Sequence, residues 1–150
     1  MKITIAAVGK LKEDYLKEAC LFLSESISKH CEFEIVEIPD EKNDDSPSAA
    51  AVQAVKNKEG LLLLKRIKPA QFVIALEIDG TPLDSDGLKK MLLKCRNQNR
   101  GDVVFVIGGS LGLSDEVLRR ADFRLSFSPM TFPHQLMRII LMEQISFALK

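Results

Sequence analysis

The sequence has no tryptophan, one tyrosine and two histidines, His30 and His134. Two imidazoles so far apart, without a spaced carboxylate cluster, argue against a metal-dependent hydrolase, and no metal site is expected. Cysteine is scarce too. Cys20, Cys31 and Cys95 are odd in number and lack C-x-x-C spacing, which reads as buried thiols in a reducing cytosol. No apolar run is long enough to cross a bilayer. The N-terminal apolar stretch, residues 3–8, gives way to Gly9, Lys10 and Lys12, too short for a secretory signal. A soluble, cytoplasmic protein without a membrane partner is expected. Net charge is also missing: 21 Lys+Arg balance 21 Asp+Glu at a pI near 6.7, excluding a wholly basic nucleic-acid coat. The balance hides an asymmetry. Residues 1–50 carry 6 basic and 11 acidic side chains, and residues 51–150 carry 15 and 10, so a polyanion would favour the later two thirds.

What is present is one domain's worth of core: 150 residues, 46% of them hydrophobic. Runs rich in Ile, Val and Phe at 2–8, 33–38, 72–78, 103–107 and 123–127 read as strands. Helical spacing of Leu11, Tyr15, Ala19, Phe22, Leu23 and Ile27 predicts a helix between the first two. A second helix is expected from a Ser46-Pro47 start through to Ile67, ended by Pro69. A third begins near Ser85 with Leu88, Met91, Leu92 and Cys95 on one face, and a short fourth begins at Ser114. The last runs from Pro133 to the end and is apolar nearly all round, which predicts a symmetric dimer joined through it, the alternative being a helix sandwiched inside the monomer. Regular alternation implies an α/β fold: a mostly parallel sheet with helices on both faces, binding ligands beyond the carboxyl ends of its strands.

Three such strand ends stand out: Ala75–Gly80, Ile107–Gly112 and Ser126–His134. Gly108 and Gly109 directly after VVFVI allow close approach of a flat ligand, although a tight turn without a ligand needs the same residues. G-G-S-L-G is not the dinucleotide fingerprint. Asp115 and Glu116, in the first turn after the Ser114 cap, place carboxylates where a pyrophosphate would sit. A neutral or cationic ligand is therefore expected, such as an adenosine carrying a sulfonium. Pro129 and Pro133 stiffen a loop with Phe127, Met130 and Phe132 as apolar walls and Ser126, Ser128 and Thr131 as hydrogen-bonding groups, suited to a nucleoside.

The stretches VGKLK (8–12), PDEK (39–42), ALEIDG (75–80), FVIGGSLGL (105–113), LSFSPMTFPHQLMR (125–138) and LMEQ (141–144) resemble the bacterial ribosomal large-subunit methyltransferase H family, in register from residue 1 to residue 150. The resemblance implies a SPOUT-class enzyme with a trefoil knot within about residues 70–150, acting as a homodimer. It implies S-adenosylmethionine as cofactor and N3 of a pseudouridine in 23S rRNA of the assembled ribosome as the methylated atom. Matched motif to motif, the cofactor site falls on Leu76, Gly108, Gly109, Phe127, Ser128, Pro129, Met130, Thr131 and Phe132.

Methyl transfer from a sulfonium requires the base nitrogen to be held behind the methyl group, and N3 of pseudouridine must lose a proton. His134 and Arg138, spaced i, i+4 beside the cofactor loop, are the catalytic candidates: His134 to accept the proton, Arg138 to stabilise charge or grip a phosphate. Pairing of Arg138 with Glu143 or across a dimer seam is the competing role. Lys10 and Lys12, with Lys89, Lys90, Lys94, Arg96 and Arg100, are candidates for contacting rRNA. Family members usually continue into a tail resembling R-G-x-x-Y-H-K, whereas this sequence stops at Phe147-Ala148-Leu149-Lys150. The side chains such a tail would supply for gripping RNA and for proton transfer are absent from these residues; the expectation is that an end is omitted, the alternative a short and catalytically weak protein. A nonenzymatic ribosome-binding factor that keeps the cofactor pocket is the alternative.

Overall fold

Buried backbone amides need partners, and in runs such as KITIAAV and DVVFVI they find them in neighbouring strands. The computed structural model describes residues 1–41 and 47–150. It contains β1 (Lys2–Val8), α1 (Asp14–Ser28), β2 (Glu32–Ile38), α2 (Ala49–Leu64), β3 (Phe72–Pro82), α3 (Ser85–Asn97), β4 (Asp102–Ile107), α4 (Asp115–Arg120), β5 (Phe123–Ser126) and α5 (His134–Leu149). The strands form one sheet in the order β2-β1-β4-β3-β5, with every pairing parallel.

Alternation along each strand sorts the core into two layers. Ile3, Ile5, Ile74, Val103 and Phe105 point to the face covered by α1, α3 and α5. Ala6, Val8, Val73, Val104 and Val106 point to the face covered by α2 and α4. The expected α/β sheet with helices on both faces is what the chain forms.

Several boundaries and faces differ from the sequence reading. Ser46, like Lys42 of PDEK, lies outside the described residues. The cap of α2 is Ser48, whose hydroxyl oxygen accepts from the Ala51 N–H at 3.1 Å, so Pro47 precedes the cap instead of opening the helix. Its regular portion stops at Leu64, where Arg66 and Ile67 tighten to bonds three residues back, on Leu63 and Leu64. On α1 the buried stripe is Leu16, Leu23 and Ile27, whereas Tyr15 and Phe22 are 67% and 71% exposed. Tyr15 and Phe22 sit about 100° around the helix from Leu16 and Leu23, which is enough to leave the sheet.

The chain covers more of α5 than its composition predicts. This helix lies between α1 and α3, with Ser26 and Ser146 hydroxyls 2.9 Å apart, Cys20 against Met142, and Ser85 donating to Gln144. Leu141, Met142 and Ile145 are buried on the sheet. Leu136 and Phe147 remain outward and exposed.

Candidate functional site

The carboxyl ends of β3, β4 and β5 open into a cleft of about 960 Å³. Its walls combine apolar side chains from all three strand ends, among them Leu76, Ile107, Leu125 and Phe127. The β3 wall has an irregular shape. Leu76 and Thr81 both stand opposite Leu125 of β5, so residues 77–80 bulge out of the ladder before pairing resumes. The bulge is fastened by the Ser126 hydroxyl, which donates to the Ile78 carbonyl at 2.9 Å. Gly80 makes the crossing possible: a Cβ there would stand 2.6 Å from the Arg124 carbonyl oxygen. The bulge brings Glu77 and Asp79 into the cleft wall, carboxylates that strand-end reasoning did not nominate. A strand pattern followed at once by Asp79-Gly80 was the available signal.

The β4 wall is the loop Gly108–Leu113. It closes on itself through the Gly112 N–H, which donates to the Gly109 carbonyl at 3.1 Å. A Cβ on Gly108 would come within 2.8 Å of the Gly112 carbonyl carbon, so the turn itself requires this glycine whether or not a ligand does. Behind the loop stands α2, where Glu59 is 4% exposed and its carboxylate accepts the Glu41 N–H at 3.0 Å. Burial pushes the Glu59 carboxyl above its ordinary value; the Glu41 N–H opposes this, and the Asp40 and Glu41 carboxylates add to it.

The third wall is the segment joining β5 to α5. Phe127, Ser128, Met130, Thr131 and Phe132 line the cleft together with Leu76, Gly108 and Gly109, so all but one of the nominated cofactor residues converge. Pro129 is the exception. It is exposed beside a turn in which the Ser128 hydroxyl accepts the Met130 N–H at 3.0 Å. His134, half-buried at the start of α5, also lines the cleft. Its Nε2 lies 3.5 Å from where a Cβ on Gly9 would stand, so the loop after β1 packs against the imidazole. Another loop bond ties the same two elements: the Lys12 N–H donates to the Gln135 side chain at 3.0 Å.

Arg138 is placed differently from His134. It is 3% exposed, donates to the Glu37 carboxylate at 2.7 Å and to the Gly9 carbonyl at 3.0 Å, and is not part of the cleft wall. Its partner is Glu37 of β2, not Glu143. The side chain that shares the expected helix face with His134 therefore fastens β1, β2 and α5 together. Asp115 and Glu116 are also displaced: they are exposed and lie outside the cleft lining, whose carboxylates are Glu77 and Asp79. Of the cations nominated for rRNA contact on and just after α3, none lines the cleft, and Lys89 donates to the main-chain oxygen of Lys150 at 3.3 Å. Arg100 stacks over Phe72 at 4.9 Å and pairs with Asp122, and Arg96 lies near Met1, all at the amino ends of the strands, opposite the cleft. The cations that line the cleft come from elsewhere, Lys56 of α2 and Arg124 of β5.

A family model described as a predicted SPOUT methyltransferase matches residues 1–150. The chain belongs to the SPOUT methyltransferase family. A relative from Clostridioides difficile (strain 630), named ribosomal RNA large subunit methyltransferase H, is 50% identical over 145 residues, covering 97% of this chain and 91% of the relative. One of the same name from Clostridium botulinum (strain 657 / Type Ba4) is 49% identical over the same shares. A third, ribosomal RNA large subunit methyltransferase H 1 of Clostridium perfringens (strain SM101 / Type A), is 48% identical. The cleft of this SPOUT chain is thus built by the motifs that carried the resemblance. Among the described residues no helix is long and apolar enough to cross a membrane, and no cluster of three or more His, Cys, Asp or Glu side chains is placed to hold a metal ion.

Proposed function

We propose that residues 1–150 act as one cytoplasmic SPOUT unit that uses S-adenosylmethionine to methylate N3 of a pseudouridine in 23S rRNA of the assembled ribosome. The observation that carries this reading is the convergence of the β3, β4 and β5 ends on one cleft, in a chain about half identical to proteins named rRNA large subunit methyltransferases. The cleft suits the cofactor. Leu76, Ile107, Phe127 and Met130 offer apolar surface for an adenine, loop backbone groups offer hydrogen bonds, and Glu77 and Asp79 offer acceptors for ribose hydroxyls and negative charge for a sulfonium. When bound, the sulfonium supplies an activated methyl group.

The protein's own part is to orient the base, keep water out and take a proton. His134 stands at the cleft wall as the proton acceptor for pseudouridine N3. Arg138 holds the Gly9 loop against α5 and so keeps the imidazole where it stands. A trefoil knot within residues 70–150, which this family's fold implies, agrees with the tight crossing at Gly80 and the seating of the β5–α5 segment against the β3 bulge.

A homodimer through α5 is part of the proposal. Its support is apolar surface left outward at Tyr15 and Phe22 on α1 and at Leu136 and Phe147 on α5. With no net charge, the protein relies on a shaped RNA target and on local cations such as Lys10 and Lys12. Incubation with methyl-labelled S-adenosylmethionine and either whole ribosomes or free rRNA tests the reading. Label is expected in the 23S rRNA of whole ribosomes and far less in free rRNA. No transfer to either, from protein shown to bind the cofactor, would overturn the enzymatic assignment.

A further inference from the structure

Two adjacent residues in the middle of α2 are costly choices there. Glu59 is a carboxylate 4% exposed, and Gly60 is a glycine in a helix interior, worth about 1 kcal/mol less than alanine at such a position. Both are explained by what they face. The Glu59 carboxylate oxygens lie 3.2 and 3.4 Å from where a Cβ on Gly109 would stand, and a Cβ on Gly60 would collide with the Ser114 hydroxyl. Gly109 is the second residue of the β4 wall and Ser114 directly follows its last, and the Ser114 hydroxyl oxygen also accepts the Val117 N–H in the first turn of α4. Helix α2 therefore braces this wall near both ends, by one carboxylate and one missing side chain. The same carboxylate accepts the Glu41 N–H, tying the segment after β2 to the back of the loop.

We infer that Glu59 is a positioning residue for the cleft: through its carboxylate it fixes the Gly108–Leu113 loop in the shape that receives the methyl donor, and couples that shape to residues 39–41. This rests on the cofactor reading above. Gly109 lines the cleft while Glu59 does not, so the carboxylate acts through the loop. Its acceptor geometry matters, and glutamine, whose amide oxygen can accept the same N–H, preserves it.

The test compares Glu59→Ala and Glu59→Gln with the unaltered protein in three measurements: S-adenosylmethionine affinity by calorimetry, amide hydrogen exchange of residues 109–113 without cofactor, and thermal midpoint. For Glu59→Ala, loss of the hydrogen bond to the Glu41 N–H and of the carboxyl group packed behind Gly109 predicts about tenfold weaker binding and about tenfold faster loop exchange. Glu59→Gln should restore both to within about twofold. A folded Glu59→Ala protein with a lowered midpoint but unchanged affinity and loop exchange would overturn the inference, as would Glu59→Gln failing as badly as alanine. If Glu59→Ala does not fold, Glu59→Asp, which withdraws the carboxylate by one methylene, takes its place with the same criteria. If the unaltered protein does not bind S-adenosylmethionine, the cofactor reading falls, and loop exchange alone then decides the bracing role.

Discussion

The cleft has two shoulders, and each hides one charged side chain. On the α5 shoulder Arg138 is buried with an anion, Glu37, and a carbonyl, Gly9, as partners. On the α2 shoulder Glu59 is equally buried, yet it takes one backbone N–H and has the acidic Asp40 and Glu41 for neighbours. The first shoulder is a charge-paired clamp placing a side chain, His134; the second is an acid shaping a backbone loop. A paired charge resists truncation of its partner strongly, because what remains is an uncompensated ion. A buried acid with no ion pair among the described residues is instead shifted towards holding its proton. The shoulders should therefore fail in different ways.

The largest effect belongs to His134, which touches the cleft itself. His134→Ala should lower the methyl-transfer rate on ribosomes by about 100-fold or more while leaving S-adenosylmethionine affinity within about twofold, as expected for loss of a proton acceptor. Single-turnover transfer and calorimetry separate the two. An unaltered rate would remove His134 from the chemistry and leave the α5 shoulder purely structural.

Next comes the clamp. Glu37→Ala strands the buried guanidinium and should cost about 2–3 kcal/mol of folding stability, below the ~3–5 typical of a fully buried pair because water reaches the half-exposed Glu37 site. Urea unfolding measures this. The same variant should slow methyl transfer more than it weakens cofactor binding, since the clamp reaches the cleft through Gly9 and His134. A loss below about 0.5 kcal/mol, the range of an exposed pair, would show that Arg138 is content with the Gly9 carbonyl alone.

On the other shoulder the packing test is Gly60→Ala. Helix propensity favours alanine by about 1 kcal/mol, but the Ser114 hydroxyl occupies the space, and overpacking typically costs about 1–3 kcal/mol. A net loss of about 1 kcal/mol is expected, and the double change Gly60→Ala with Ser114→Gly should recover part of it. A stabilised Gly60→Ala protein would mean that α2 does not brace the loop closely.

The contrast between shoulders also marks what the sequence exposes. Strand cores such as VVFVI and KITIAAV declare themselves because burial on both faces demands continuous apolar runs, and the β-end motifs around Gly108 and Phe127 follow from topology. Asp79-Gly80 signals locally that the strand is interrupted, but the shape of the bulge at residues 77–80 does not declare itself, because its register is set by pairing with β5, some 45 residues later. Arg138 misleads for the same reason: i, i+4 spacing from His134 is visible, whereas Glu37 and Gly9 lie about 100 residues or more away along the chain. Tyr15 and Phe22 mislead differently, since their i, i+7 spacing fits an apolar face that the sheet does not cover. Glu59-Gly60 was legible in principle, as an acid and a glycine set before four leucines in a helix.

The smallest effect is the pH signature of the buried acid Glu59. Because burial raises the folded-state value of Glu59 above its ordinary 4.5, the folded protein holds this proton at pH values where the unfolded chain has released it. Proton uptake thus favours folding, and this group's contribution is fully present below the ordinary value and lost as pH rises through the raised one. Glu59→Gln carries no such proton. Its stability relative to the unaltered protein should therefore climb across that window and level off above it, while the α5 shoulder, identical in both proteins, cancels. Urea unfolding of the pair at a series of pH values reads the difference directly. Parallel stability curves would mean that Glu59 is ionised throughout, compensated by groups other than the Glu41 N–H, and the two shoulders would then be alike.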